Sequence, residues 1–309
     1  MGEIAGIASP ATDASCTVCH APFHSVPAEL RVNPLEATRG VSCESCHGPA
    51  ESWLRGHTRP DWSHADRVTA GMRDLKNLYV RANTCVACHQ NVPSNLLAAG
   101  HPELIFELDG QGVSQPKHWR EATNWSGAQT WLVGQAVALR EIQWQLSQKS
   151  SEPKSDSRDT KSMDRGDALL WMLPKIASVD GLFPEPSFLK TAYTSASVQK
   201  WADELARAAS GVRWTDIETK KCLAILAGSA LDFRDPPADR PSTARLSRRA
   251  ERLVMGLDRL VLASGNKFKL ALDSELNELF SLVQSLPDFN PAKFADALER
   301  FRNRLQAVR

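Results

Sequence analysis

Apolar residues recur at helical spacing through the C-terminal part of the chain. Between residues 125 and 146 they lie three or four positions apart, which predicts a long amphipathic helix from Thr123 or Asn124 to about Ser147. The same pattern, bounded by turn residues, predicts further helices at Asp167–Ala177 with an interruption near Pro174, Pro186–Ser210, Thr215–Phe233, Pro241–Ser264, Ser274–Leu286 and Pro291–Val308. We therefore predict an antiparallel α-helical bundle over residues 121–309.

Two segments depart from this pattern. Residues 148–166 are dominated by Ser, Lys, Asp and Arg, which predicts a polar surface loop. Residues 1–120 contain short apolar runs broken by proline and glycine, with one helix expected at Ala65–Arg81. Strand-like alternation persists nowhere in the sequence. The predicted fold is mainly α, with a loop-rich N-terminal domain at 1–120, a helical domain at 121–309 and essentially no β-sheet.

The N-terminal domain carries three copies of one motif, in which two cysteines are separated by two residues and followed directly by histidine. The copies are Cys16, Cys19 and His20, then Cys43, Cys46 and His47, then Cys85, Cys88 and His89. In c-type haem attachment the two thiols bond the macrocycle and the histidine ligates the iron. A disulfide or a zinc site would not require an adjacent histidine three times. We predict three haem c groups, which would also supply the core that this segment lacks.

The proximal iron ligands are therefore predicted to be His20, His47 and His89. The other five histidines are candidates for the distal axial positions, and we rank them in the order His57, His101, His24, His118 and His64. This supply is large enough to make all three irons bis-histidine.

Position in the chain separates these five histidines. His24 and His57 follow their own proximal histidines so closely that we expect them to ligate neighbouring haems. His101 lies between Gly100 and Pro102, in a turn that can hold an imidazole against a flat partner. His118 fits a ligand and a packing role equally well, and His64 also fits the start of a surface helix.

Charge and hydropathy narrow the function classes. The formal net charge of +1 gives no basis for nucleic-acid binding, and no apolar run is long enough for a transmembrane segment. Residues 1–15 lack the features of a secretory leader. Since haem c is attached outside the cytoplasm, we expect a periplasmic or extracellular protein whose leader has been removed.

The segments around these motifs resemble multihaem cytochromes of the cytochrome c-554 type. The resemblance covers about residues 14–120, and it rests on four segments: 40–50 with Trp53 and His57, 81–89, 99–108 and 116–119. It implies that histidines outside the binding motifs act as distal ligands, which supports His57 and His101. The namesake of that family has four haems, whereas this chain has three motifs, so a fourth haem is not carried over.

These observations favour an electron carrier that exchanges electrons with redox protein partners, alone or as a subunit of a larger redox complex. A haem enzyme is the alternative, if one iron lacks a distal ligand and is open to a small nitrogen or oxygen species. A third possibility is a haem array built by self-association. Cys222, the one cysteine outside the motifs, fits a buried apolar position.

Overall fold

A computed structural model describes residues 2–31, 40–114, 118–121, 125–149, 157–179, 183–186, 194–234, 242–285 and 288–308. Within these ranges all regular secondary structure is helical, which confirms the predicted mainly α fold. The chain groups into two compact units, residues 1–106 and 107–309. The boundary predicted from the sequence lies near residue 120. None of the described helices is both long enough and apolar enough to cross a membrane.

The first unit is built from short helices. They are α1 (Ala14–His20), a 3-10 turn (Ala28–Leu30), α2 (Cys43–His47), α3 (His64–Thr69), α4 (Leu78–His89) and α5 (Ser94–Ala98). The single helix predicted at Ala65–Arg81 is wrong, because two helices occupy this region. Gly71 adopts a left-handed conformation with φ of 96° after α3. Asn77 then starts α4, since its side chain accepts hydrogen bonds from the backbone of Tyr79 and Val80.

The buried apolar side chains of the first unit include Trp53, Leu78, Val86 and Phe106. Ile7, Val92 and Leu96 form one buried cluster, against which the Cys16 side chain packs. Several larger apolar residues stay exposed instead, including Val18 at 62%, which lies inside the first motif. Apolar side chains that stay exposed at a predicted attachment motif are consistent with a non-protein group that covers them.

The second unit is a larger helical assembly. Its helices are α6 (Leu108–Ser114), α7 (Gly127–Lys149), α8 (Ser157–Ala177), α9 (Ser195–Gly211), α10 (Asp216–Ala227), α11 (Leu231–Arg234), α12 (Thr243–Ala263), α13 (Asn266–Val283) and α14 (Pro291–Ala307). The predicted start of α14 is confirmed: Asn290 caps it and Pro291 occupies its first turn.

Helix α7 is the central element of the second unit. The sequence predicted an amphipathic helix here, yet every residue from 128 to 139 is buried. Helices α6, α8, α9 and α12 all pack against it. Two glycines allow close approach, since a Cβ at Gly134 would come within 2.8 Å of Leu108, and one at Gly256 within 2.8 Å of the Trp131 ring. A helix buried on all sides is expected where neighbours surround it. The predicted N-caps Thr123 and Asn124 lie outside the described residues.

The polar segment predicted as a loop at residues 148–166 is helical over much of its length. Helix α7 continues to Lys149, and α8 begins at Ser157. Two acidic side chains, one inside this segment and one directly after it, form ion pairs with α12. Asp164 pairs with Arg245 at 3.5 Å, and Asp167 pairs with Arg249 at 2.7 Å. A polar sequence can therefore form a packed helix when a partner helix supplies opposite charges.

Other predicted helix boundaries in the second unit also shift. Helix α8 passes through Pro174 without the predicted interruption. The single helix predicted at Thr215–Phe233 is two helices, α10 and α11. Helix α13 begins at Asn266 rather than Ser274. Boundaries of this kind depend on tertiary packing more than on local preference.

One charged network lies deep in the second unit. Glu107, Gln135 and Arg252 are at most 9% exposed. The Arg252 guanidinium donates to the Glu107 carboxylate and, at 3.0 Å, to the Gln135 side-chain oxygen. The Gln135 amide donates to Glu107 at 2.9 Å. Burial raises the pKa of the Glu107 carboxyl above its usual value, and the nearby Arg252 charge opposes that rise. The ionised carboxylate therefore depends on Arg252 for its stability.

Candidate haem-binding site

Each predicted attachment motif closes a helix. Helices α1, α2 and α4 end at His20, His47 and His89 respectively. Residues three apart lie on the same face of a helix, so the two cysteines of each motif can reach one flat partner. The local sequence explains two of these short helices: Asp13 caps α1, and Ser42 and Ser45 form a capping box on α2.

The thiols of the three motifs lie close to one another. The thiols of Cys19 and Cys88 interact electrostatically, and helix α1 contacts helix α4. Cys46 interacts electrostatically with Cys85 and Cys88. Burial raises the pKa of Cys85 and of Cys88 to about 11, and it also raises the pKa of Cys46. The tertiary structure thus brings the second and third motifs together, and the first and third.

Arg73 links the second motif to the third. Its backbone N–H donates to the His47 carbonyl at 2.8 Å. Its guanidinium donates to the Cys46 carbonyl at 2.9 Å and reaches the Thr84 hydroxyl at 3.5 Å. Arginine is well suited to the free carbonyls at a helix C-terminus. Sequence reasoning missed Arg73, because no local pattern distinguishes it from other surface arginines.

Two of the candidate distal histidines have a fixed ring orientation. His57 Nδ1 lies 2.6 Å from the Leu54 carbonyl, and His101 Nδ1 lies 2.8 Å from the Pro102 carbonyl. A carbonyl oxygen can only accept, so in both rings Nδ1 carries the proton. The lone pair then resides on Nε2, which is the nitrogen available for a metal.

His101 lies beside a predicted proximal ligand. Its ring centre is 6.3 Å from that of His20, and the two ring planes are inclined at 60°. The turn is held by the His101 N–H, which donates to the Leu96 carbonyl at 2.9 Å, and by Gly100, whose φ of 94° favours glycine. The predicted role of Gly100 in this turn thus has a conformational basis.

His57 lies near the second motif, with Trp53 between the two elements. The Trp53 ring centre is 6.2 Å from the His47 ring and 5.5 Å from the His57 ring. Its side chain is 2% exposed. The structure therefore brings His47, Trp53 and His57 into one aromatic cluster.

The other candidate histidines are placed differently. His64 begins α3 and its Nε2 lies 3.0 Å from the Asp74 carboxylate, so that nitrogen already has a partner. His24 is half-buried, and its carbonyl accepts from Arg31 at 2.7 Å. His118 belongs to the second unit and stacks edgewise on Trp119. Desolvation lowers the pKa of the proximal candidate His89, which favours the neutral imidazole that ligates metals.

These residues fit haem c. In each motif, two cysteines lie three positions apart in a helix whose last residue is the histidine. None of these six cysteines is fully buried. Apolar side chains stay exposed near the first two motifs, with Val18 at 62% and Val41 at 61%. A covalently held apolar plate would cover such surface, which gives the exposed side chains a physical explanation.

Comparison with known families points to the same chemistry. Residues 3–48 match the family model described as cytochrome c554 and c-prime. The matched segment contains the first two motifs. The match supports a c-type cytochrome. Proteins of this class carry haem iron and function in electron transfer. No curated protein sequence and no solved structure matches the chain.

Proposed function

We propose that this protein is a trihaem c-type cytochrome that transfers electrons outside the cytoplasm, in the periplasm or the extracellular space. The adjacency of the three helix-terminal motifs carries this proposal, because α1 contacts α4, and Arg73 joins the carbonyls of His47 and Cys46 in α2 to Thr84 in α4. Haems attached at such points would be close neighbours. Haem supplies the one-electron change of its iron, and the protein tunes the potential through axial ligands and burial.

The third haem is the part of the proposal that goes beyond the family match. The family match ends at residue 48, before the motif of Cys85, Cys88 and His89. That motif nevertheless repeats the local geometry of the others, since it closes α4 with histidine as its last residue. The proposed partners of the protein are redox proteins or other subunits of a redox complex. Self-association of the protein is compatible with the same electron-transfer chemistry.

We assign His20 and His101 to one iron. The ring centres of these two histidines are close enough that both imidazoles would hold one iron between them. The observed separation is 6.3 Å. An interplanar angle of 60° is compatible with this arrangement, because each ring can rotate about its metal–nitrogen bond. The Nε2 lone pair of His101 is available, as its Nδ1 proton is donated to Pro102.

His57 is assigned to a different iron from His47. Trp53 contacts both of these rings, and His57 presents Nε2 as the free nitrogen. His24 remains the proposed distal ligand for an iron that His57 and His101 do not serve. His64 is the weakest, since Asp74 already engages its Nε2.

Replacement of His101 with alanine should convert one of the three irons from low-spin to high-spin. The reason is that the His20 iron would lose its sixth ligand while its thiols and proximal histidine remain. Electron paramagnetic resonance of the oxidised protein measures the change, and added imidazole should reverse it. The matched control is His64→Ala, which should leave all irons low-spin. An unchanged spectrum for His101→Ala would refute this axial pair.

The proposed function itself is tested on the unmodified holoprotein. We expect only low-spin ferric signals in the paramagnetic resonance spectrum and no optical change on addition of cyanide or nitrite. Full axial ligation leaves no open position for a substrate, as an electron carrier requires. A high-spin iron that takes up these anions would instead support the haem-enzyme alternative.

A further inference from the structure

Trp53 is a buried side chain beside the second motif and is 2% exposed. It contacts His47 and His57 edgewise, with interplanar angles of 67° and 84°. Edge-to-face contacts of this kind are favourable and directional. One indole ring thus restrains two imidazoles, which are expected to ligate different irons.

The backbone around Trp53 is tied to the motif helix. The Ala50 N–H donates to the Glu44 carboxylate of α2 at 2.7 Å. The Ala50 carbonyl accepts from the Trp53 N–H at 3.2 Å, and the Trp53 carbonyl accepts from the His57 N–H at 2.9 Å. This chain of hydrogen bonds places His57 one helical turn beyond Trp53 and fixes the turn to α2.

Packing on the other side holds the same turn. A Cβ at Gly56 would come within 2.3 Å of the Trp62 ring, so Trp62 lies directly on this backbone. A larger residue at the position before His57 would displace the Trp62 ring. The backbone of this turn is held by α2 on one side and by Trp62 on the other. The orientation of the His57 imidazole then depends mainly on its side-chain torsions.

The indole N–H plays no visible part in the cluster. Trp53 Nε1 is buried and makes no hydrogen bond to any residue that the structure describes. Burying an unpaired N–H has a cost that phenylalanine would avoid. The edges and faces of the rings supply the contacts of Trp53 with His47 and His57.

We propose that Trp53 is a positioning residue that holds the His57 imidazole in the orientation from which its Nε2 would ligate the iron of a neighbouring haem. This inference rests on the proposed function, because it requires more than one haem. His57 Nδ1 is held by the Leu54 carbonyl at 2.6 Å, and the Trp53 edge restrains the ring plane. Both rotational freedoms of the imidazole are then restricted, as precise axial ligation requires.

The test compares Trp53→Ala with His57→Ala in the full-length holoprotein, by paramagnetic resonance. Both variants should show the same new high-spin signal, from one of the three irons. The double variant should show no second high-spin iron, since both changes act on one ligand. Imidazole should restore the low-spin state in each. Trp53→Phe, which keeps an aromatic edge, should remain low-spin.

Several outcomes separate this inference from the proposed function. A high-spin iron in the unmodified protein would contradict the fully ligated electron carrier. Low-spin irons in both the unmodified protein and Trp53→Ala would overturn the role of Trp53 alone, as would two high-spin irons in the double variant. If Trp53→Ala loses haem, then Trp53→Leu fills the volume without an aromatic edge, and a low-spin spectrum in that variant would refute the proposal.

Discussion

Replacing Cys85 and Cys88 with alanine should lower the haem content from three groups per chain to two. These are the thiols of the motif that lies beyond the family match at residues 3–48. Each haem c needs its own thiols for covalent attachment, so the loss should be one whole group. Haem content per mole of protein, from the alkaline pyridine spectrum, and the intact mass of the chain both measure it.

The matched control is Cys222→Ala. Cys222 is fully buried in α10, and burial raises the pKa of its thiol to about 12. No histidine follows it, so its removal should leave three haems. The corresponding double variants at the first and second motifs should each lose one haem as well. A full haem content after loss of Cys85 and Cys88 would contradict the trihaem proposal.

Replacement of Arg252 with methionine should lower the free energy of unfolding by about 3–5 kcal/mol at neutral pH, the cost of removing one partner of a buried ion pair. The variant would leave the Glu107 carboxylate buried, with Gln135 as its remaining hydrogen-bond donor in this network. Urea unfolding followed by far-ultraviolet circular dichroism measures the loss. The second unit holds the long helices, so its unfolding dominates that signal.

Acid should relieve this loss. Burial already raises the pKa of Glu107, and removal of the Arg252 charge should raise it further. A carboxyl whose pKa is raised in the folded state favours folding at low pH, and that contribution is lost as pH rises through the folded-state pKa. The difference between variant and unmodified protein should therefore shrink as pH falls toward the ordinary glutamate pKa of about 4.3.

Two further variants test the cause. Combining Glu107→Gln with Arg252→Met removes both charges and should restore much of the stability. Arg234→Met removes an arginine that pairs on the surface with Asp296 and Glu299, and it should change stability little. Equal losses in Arg234→Met and Arg252→Met would show that burial of the ion pair is not the reason.

Some features of the fold could be read directly from local sequence. The mainly α class follows from the spacing of apolar residues, and the start of α14 follows from Asn290 and Pro291. Local sequence does not predict the secondary structure of segments whose packing is unusual. Residues 157–166 were predicted to be a loop because they are polar, but ion pairs with Arg245 and Arg249 satisfy the acidic residues of α8.

The attachment motifs can be recognised without the structure, because the two thiols and the histidine of each lie within five consecutive residues and need only one helical turn. The sequence also shows which histidines are available as distal ligands. It does not show which of them lie together. His101 lies beside His20, and Trp53 lies between His47 and His57.

Such pairings, and the burial of particular charges, depend on how the helices pack. Glu107 and Arg252 are 145 positions apart in the chain, yet they form one buried ion pair. The physical reason is that helix formation and motif spacing are local properties. The environment of a side chain instead depends on which distant segments pack around it, and no short pattern in the sequence records that.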